Sequence, residues 1–165
     1  MPTPLPDLTS WASEWSGVRV TVVGLGEVGF SLIDTLSELG ATTTVVYSGP
    51  VGDRATIAGV LGVSTVEVSG EEDTVRAVQD SSPDLVILAP EWEPALEVEA
   101  TLWQSDAVVW SDVEFSVRVA DKSGVAPPLV LFGGGRSAHS ADTAQRIFLH
   151  GQVRAARAGV DAPPV

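Results

Sequence analysis

One stretch constrains the fold more than any other. A β-branched run, Gly17 to Val23, leads directly into Gly24-Leu25-Gly26-Glu27-Val28-Gly29. The run reads as a buried strand and the glycines open a helix. A strand followed by a tight glycine turn and a helix is the first unit of a parallel α/β sheet. The roles of the glycines follow from sterics. Gly24 permits the tight turn, and Gly26 lets backbone approach a pyrophosphate whose charge meets the helix N-terminus. Equally, the glycines serve close packing of helix on strand.

Downstream, helical and extended patterns alternate. Phe30 to Leu39 is a helix with Phe30, Leu32, Ile33, Leu36 and Leu39 on its buried face, and Gly40 stops it. Thr43 to Tyr47 is a strand, and about Asp53 to Leu61 a helix. Ser64 to Val68 is extended, and Gly70-Glu71-Glu72-Asp73 starts a helix with acids at its positive end. Asp84 to Pro90 is continuously apolar after its first residue, as in a sheet covered on both faces. A helix over Glu93–Gln104, a strand over Ala107–Trp110 and a helix over 112–121 complete the pattern. The last of these is announced by the capping sequence Ser111-Asp112-Val113-Glu114. Before all of them, Asp7-Leu8-Thr9-Ser10 predicts a short helix through Trp15. The expected fold is a Rossmann-like, doubly wound, mostly parallel α/β sheet with a C-terminal strand–helix extension.

Composition narrows the function. The net charge of −13 opposes non-specific binding to nucleic acid and to anionic membranes. No apolar run approaches the roughly 20 residues of a membrane span. The first residues, Met1 to Asp7, have neither a basic region nor a long apolar segment, so the expected compartment is the cytoplasm. Without cysteine there are no thiolate metal sites or cysteine nucleophiles. Charge is uneven, −15 over residues 1–122 and +2 over residues 123–165. That break predicts a first domain over 1–122 and a separate segment over 123–165.

The glycine turn after Val23 supports three readings: packing alone, a nucleotide-sugar, or a dinucleotide such as NAD(P). An acid about 20 residues on would hold a ribose hydroxyl in the last case, but the second strand ends in Tyr47-Ser48-Gly49. A second turn, Gly133-Gly134-Gly135-Arg136-Ser137, follows the apolar Val130-Leu131-Phe132 and precedes a helical run, Ala141 to Arg157. A phosphate loop there would need a lysine for the β- and γ-phosphates. The one lysine, Lys122, lies before the turn. ATP is therefore not an expected cofactor. His139 and His150 do not have zinc spacing, and no metal site is expected. Asp34, Asp106 and Asp112 form no visible arrangement with a nucleophile, and no residue is assigned a catalytic role. Trp92 and Trp110 are placed after strands, at the end of the sheet where ligands bind.

Leu8-Thr9-Ser10-Trp11, Gly17 to Gly26, Asp84 to Pro94, Val109 to Glu114 and Leu129 to Gly133 together resemble, in order, the opening of the Mur ligases, in particular the D-glutamate-adding members. The resemblance covers nearly the whole chain and about the first third of a family member. It implies an N-terminal domain for the UDP part of a peptidoglycan precursor. Its site would comprise Gly24, Leu25, Gly26, Glu27, Val28, Gly29, Tyr47, Pro90 and Trp92. It also implies that residues 123–165 correspond to the start of the ATP-binding domain. The chain departs from the family's pattern in several places. Tyr47 replaces an acid, Ala89-Pro90-Glu91 replaces a Ser-Pro-Gly turn, and Ser137 stands where the ATP loop has its lysine. Glu27 and Glu91 put negative charge where a diphosphate would lie. The expectation is a non-catalytic binding or regulatory module of peptidoglycan synthesis, with a second copy or a cell-wall enzyme as partner. The alternatives are an N-terminal piece or split half of an active ligase, and a NAD(P)-binding protein.

Overall fold

The computed structural model describes residues 5–94, 96–104 and 106–123. Five parallel strands, β1 (Arg19–Val23), β2 (Thr42–Tyr47), β3 (Ser64–Glu67), β4 (Leu85–Leu88) and β5 (Val108–Ser111), form one sheet in the order β3-β2-β1-β4-β5. Among the described residues five α-helices connect and follow them: α1 (Glu27–Leu39), α2 (Arg54–Val60), α3 (Glu71–Asp80), α4 (Leu96–Trp103) and α5 (Asp112–Arg118). The expected doubly wound α/β architecture is the one observed. The segment from 124 onward, including the turn Gly133–Ser137 and the expected strand and helix around it, lies outside the described residues.

The apolar strands are continuous because both faces of the sheet are covered. Val20 and Val22 of β1 and Leu85 and Ile87 of β4 join a core with Leu32, Ile33 and Leu36 of α1 and Phe115 of α5. Val23, Val86 and Val46 face the opposite way and pack with Val78 of α3 and Leu102 of α4. Thr21 is the polar residue among the buried positions of β1. It is buried, and its hydroxyl shares a 2.7 Å hydrogen bond with that of Ser81. Leu8 and Trp15 seal the first core from the N-terminal side, where the Trp15 ring meets Phe115 and Trp110 edge-on.

Some boundaries differ from those expected. No helix runs to Trp15. The chain makes one 3-10 turn, Leu5–Asp7, and then bends. Its polar groups are taken elsewhere: the Ser13 hydroxyl donates to the Asp7 carbonyl, and Trp15 Nε1 donates to the Ser10 carbonyl. Such local bonds compete with a helix. Helix α1 begins at Glu27, three residues early, because extended Gly26 takes the cap position. Glu93 is not helical, since Pro94 disfavours helical geometry at the residue before it, and α4 is described over Leu96–Trp103. Helix α5 starts as expected, with the Glu114 amide donating to the Ser111 hydroxyl at 3.1 Å, but gives way after Arg118 to a 3-10 turn, Ala120–Ser123.

Candidate functional site

In a sheet of order β3-β2-β1-β4-β5 the connections run one way from β1 and the other way from β4. The crevice beyond the carboxyl ends of these two strands is the expected ligand position. Two loops border it, Gly24–Gly26 after β1 and Ala89–Trp92 after β4. Backbone hydrogen bonds hold both: Gly24 donates to the Val46 carbonyl, Ala89 to that of Val23, and Trp92 to that of Ala89.

Each glycine of the first loop has a steric reason to be there. Gly24 has φ +106°, a conformation L side chains rarely adopt. At Gly29 a Cβ would collide with the Gly24 carbonyl. At Gly26 a Cβ would lie 2.5 Å from Cγ and Oε1 of Glu91. The second loop thus sends the Glu91 side chain into the space left by the missing Gly26 side chain. There Glu91 Oε1 accepts from the Val28 amide at 2.5 Å and from the Gly29 amide at 3.4 Å. The partial positive charge at the start of α1 is met by an internal carboxylate. Glu91 Oε2 is buried and has no hydrogen-bond partner among the described residues.

The other expected site residues fall at or near this crevice in different ways. Leu25 and Val28 have buried side chains within the first core, so their loop offers backbone rather than side chain. Glu27 is exposed. Tyr47 closes β2 and is half-buried against the first core. Pro90 and Trp92 are half-buried, and Trp92 packs against the second core beside Gly24. Trp110 is a different case. It lies within β5 rather than after it and is 6% exposed, under the Arg118 guanidinium at 4.3 Å. Strand β5 sits one residue later than the expected Ala107–Trp110, so Ser111 ends it, and Trp110 belongs to the first core.

Asp112, set aside on sequence grounds, belongs to this end of the sheet. It starts α5 directly after β5. Burial, chiefly, raises its carboxyl above the ordinary range, and the negative charge of Glu91 adds to the effect, against backbone hydrogen bonds that lower it. Its place after a strand, at the same end as Glu91, was the available signal. Several cations are engaged elsewhere: Arg19 pairs with Asp84, Arg76 with Asp73, Arg118 with Glu114 and Lys122 with Glu38. Among the described residues no group of three or more acids or histidines is arranged to hold a metal ion. None of the described helices is long and apolar enough to cross a membrane.

No family model matches the chain. Individual proteins do. The UDP-N-acetylmuramoylalanine--D-glutamate ligase of Leifsonia xyli is 37% identical over 135 residues, 81% of this chain and 25% of that protein. The enzyme of the same name from Streptomyces coelicolor is 35% identical over 116 residues, 70% of this chain and 24% of that protein. The chain thus spans about a quarter of the length of the curated relatives it matches. Among solved structures, SirC, a precorrin-2 dehydrogenase, aligns with a TM-score of 0.45 at 16% identity over 91% of this chain and 71% of that one. At that level the likeness carries no functional information. The sequence relatives, by contrast, make this chain a homologue of the N-terminal quarter of the D-glutamate-adding ligases, and through that quarter a member of the Mur ligase family.

Proposed function

We propose that residues 1–122 form a binding module for a UDP-linked peptidoglycan precursor, acting in the cytoplasm without chemistry of its own, and that residues 123–165 are a vestige of an ATP-binding segment. The observation that supports it most is the crevice between Gly24–Gly26 and Ala89–Trp92, at the reversal of strand order, in a chain homologous to ligases named for a UDP-N-acetylmuramoyl substrate. The non-catalytic part rests on the turn Gly133–Ser137, which has no lysine. The nucleotide end would sit against loop backbone, with Tyr47, Pro90 and Trp92 beside it.

Titration of the full chain with UDP-N-acetylmuramoyl-L-alanine, followed by amide chemical shifts, tests the reading. Shifts at residues 24–29, 47 and 89–92 are expected. A saturating ligand that moves none of them removes it. ATP, Mg²⁺ and D-glutamate added with the precursor should release no phosphate. The homology favours one other reading, an N-terminal portion of an active ligase, because it covers the first quarter of working enzymes. Phosphate release on adding a protein with an intact phosphate loop would favour that reading. The proposed partner is a second copy or a cell-wall enzyme, and light scattering over a concentration series separates the two.

A further inference from the structure

We infer that Glu91 sets the charge this crevice accepts: its carboxylate occupies the seat at the start of α1 and excludes a phosphate from it. The inference rests on the crevice reading above and concerns its selectivity. Three observations converge on it. Glu91 Oε1 takes the Val28 and Gly29 amides, the N–H groups that a bound anion would use. The missing side chain of Gly26 is filled by Glu91 itself, with Cγ, Cδ and Oε1 all within 2.6 Å of where a Cβ would be. The second oxygen, Oε2, is buried without a partner among the described residues, so the carboxylate's negative charge is only partly compensated. A phosphate brought to the same amides meets that charge at contact distance, with Asp112 adding a further acid nearby. The wild-type crevice therefore gains nothing from a ligand's phosphates. The ligand it suits presents its neutral nucleoside end.

The experiment crosses two probes with three proteins. Uridine and UDP are titrated against wild type, Glu91→Gln and Glu91→Ala. In the wild type the two probes bind within about twofold of each other. In Glu91→Ala, UDP binds about tenfold tighter than uridine, the worth of one charge-assisted contact. Glu91→Gln keeps the side chain's shape and shows the same direction with a smaller ratio, and it stands in if the alanine variant does not fold. A tenfold preference for UDP in the wild type overturns the inference, as does a variant with no preference. Inorganic pyrophosphate separates this inference from the function it rests on. It should move the Val28 and Gly29 amide resonances in the variants and leave the wild type unmoved. If no protein binds uridine or UDP while pyrophosphate keeps that pattern, the proposed function fails and the role of Glu91 stands. If pyrophosphate moves these amides in all three proteins or in none, the role of Glu91 fails.

Discussion

The Gly24 carbonyl stands where a Cβ on Gly29 would be. Helix α1 leaves β1 so tightly that no side chain fits between the two residues. Gly29→Ala is therefore expected to push the helix off the strand. The cost is on the order of 3 kcal/mol, as for other overpacked sites whose neighbour is backbone and cannot yield. Gly59 in α2 is the contrast. A Cβ there meets nothing within 4 Å, so Gly59→Ala should stabilise by about 0.5–1 kcal/mol through helix propensity. Urea midpoints of the two variants moving the same way would refute this account of the turn.

Trp15 is 1% exposed between Phe115 and Trp110, at ring-centroid distances of 5.7 and 6.5 Å. Replacing it with alanine opens a cavity between the N-terminal segment and α5 and strips the Ser10 carbonyl of its indole donor. A loss of about 4 kcal/mol is expected, in line with large-to-small core substitutions. Denaturation monitored by near-UV dichroism measures it. A loss under about 1 kcal/mol would mean that residues 5–15 do not seal the core.

Two acids should give opposite pH dependences. Asp84 accepts from Arg19 three times, through its amide, Nε and a terminal nitrogen, at 2.8–3.1 Å. Hydrogen bonding to the Arg19 side chain holds its carboxyl below the ordinary 3.8. Its stabilisation is complete above the unfolded-state value and is lost as pH falls through the lower folded value. Burial raises Asp112 instead. Its ionised form costs stability at neutral pH, and that cost is relieved as pH falls through its raised folded value toward the unfolded one. Asp112→Asn is thus expected to raise the urea midpoint at pH 7 and Asp84→Asn to lower it. Both differences should shrink at a pH below the acids' titration. A destabilised Asp112→Asn at pH 7 would contradict the assignment.

Asp121 clasps the two ends of the described chain. Its carboxylate accepts from the Ser10 hydroxyl at 2.5 Å and the Trp11 amide at 2.6 Å, and the Ser10 bond is the main reason its carboxyl lies below the ordinary range. Next to it, the Lys122 ammonium lies 4.2 Å from the centre of the Trp11 ring and pairs with Glu38. Asp121→Ala should free the Trp11 amide to exchange much faster, with little change at Val22 in the sheet centre. Hydrogen exchange that accelerates equally at both positions would show global destabilisation instead of a released clasp.

The candidate crevice is partly legible in the sequence. Gly24, Gly26 and Gly29 marked the turn, and Glu91 was visible as negative charge where a diphosphate would lie. What could not be read was that Glu91 bonds the amides of α1, because the two residues of that bond are 63 apart in sequence. Asp112 is silent in the sequence for the same reason: the acid that acts on it, Glu91, follows a different strand. Trp110 lies inside the strand because the pairing of Leu88 with Ser111 places the end of β5 one residue later than the apolar pattern does, at an unchanged length of four residues.

The sequence by itself determined the order and type of the sheet's elements and the family. Runs such as Val20–Val23 and Leu85–Leu88 have nowhere to go but a sheet buried on both faces, and hydrophobic patterning is a local property of the chain. Tertiary structure alone decided which groups meet at the crevice. That depends on strand order, which places β4 beside β1 and so brings Glu91 to the amides of α1 and Asp84 to Arg19. Contact between distant residues follows from how the layers close around the core, and no short window of sequence contains it.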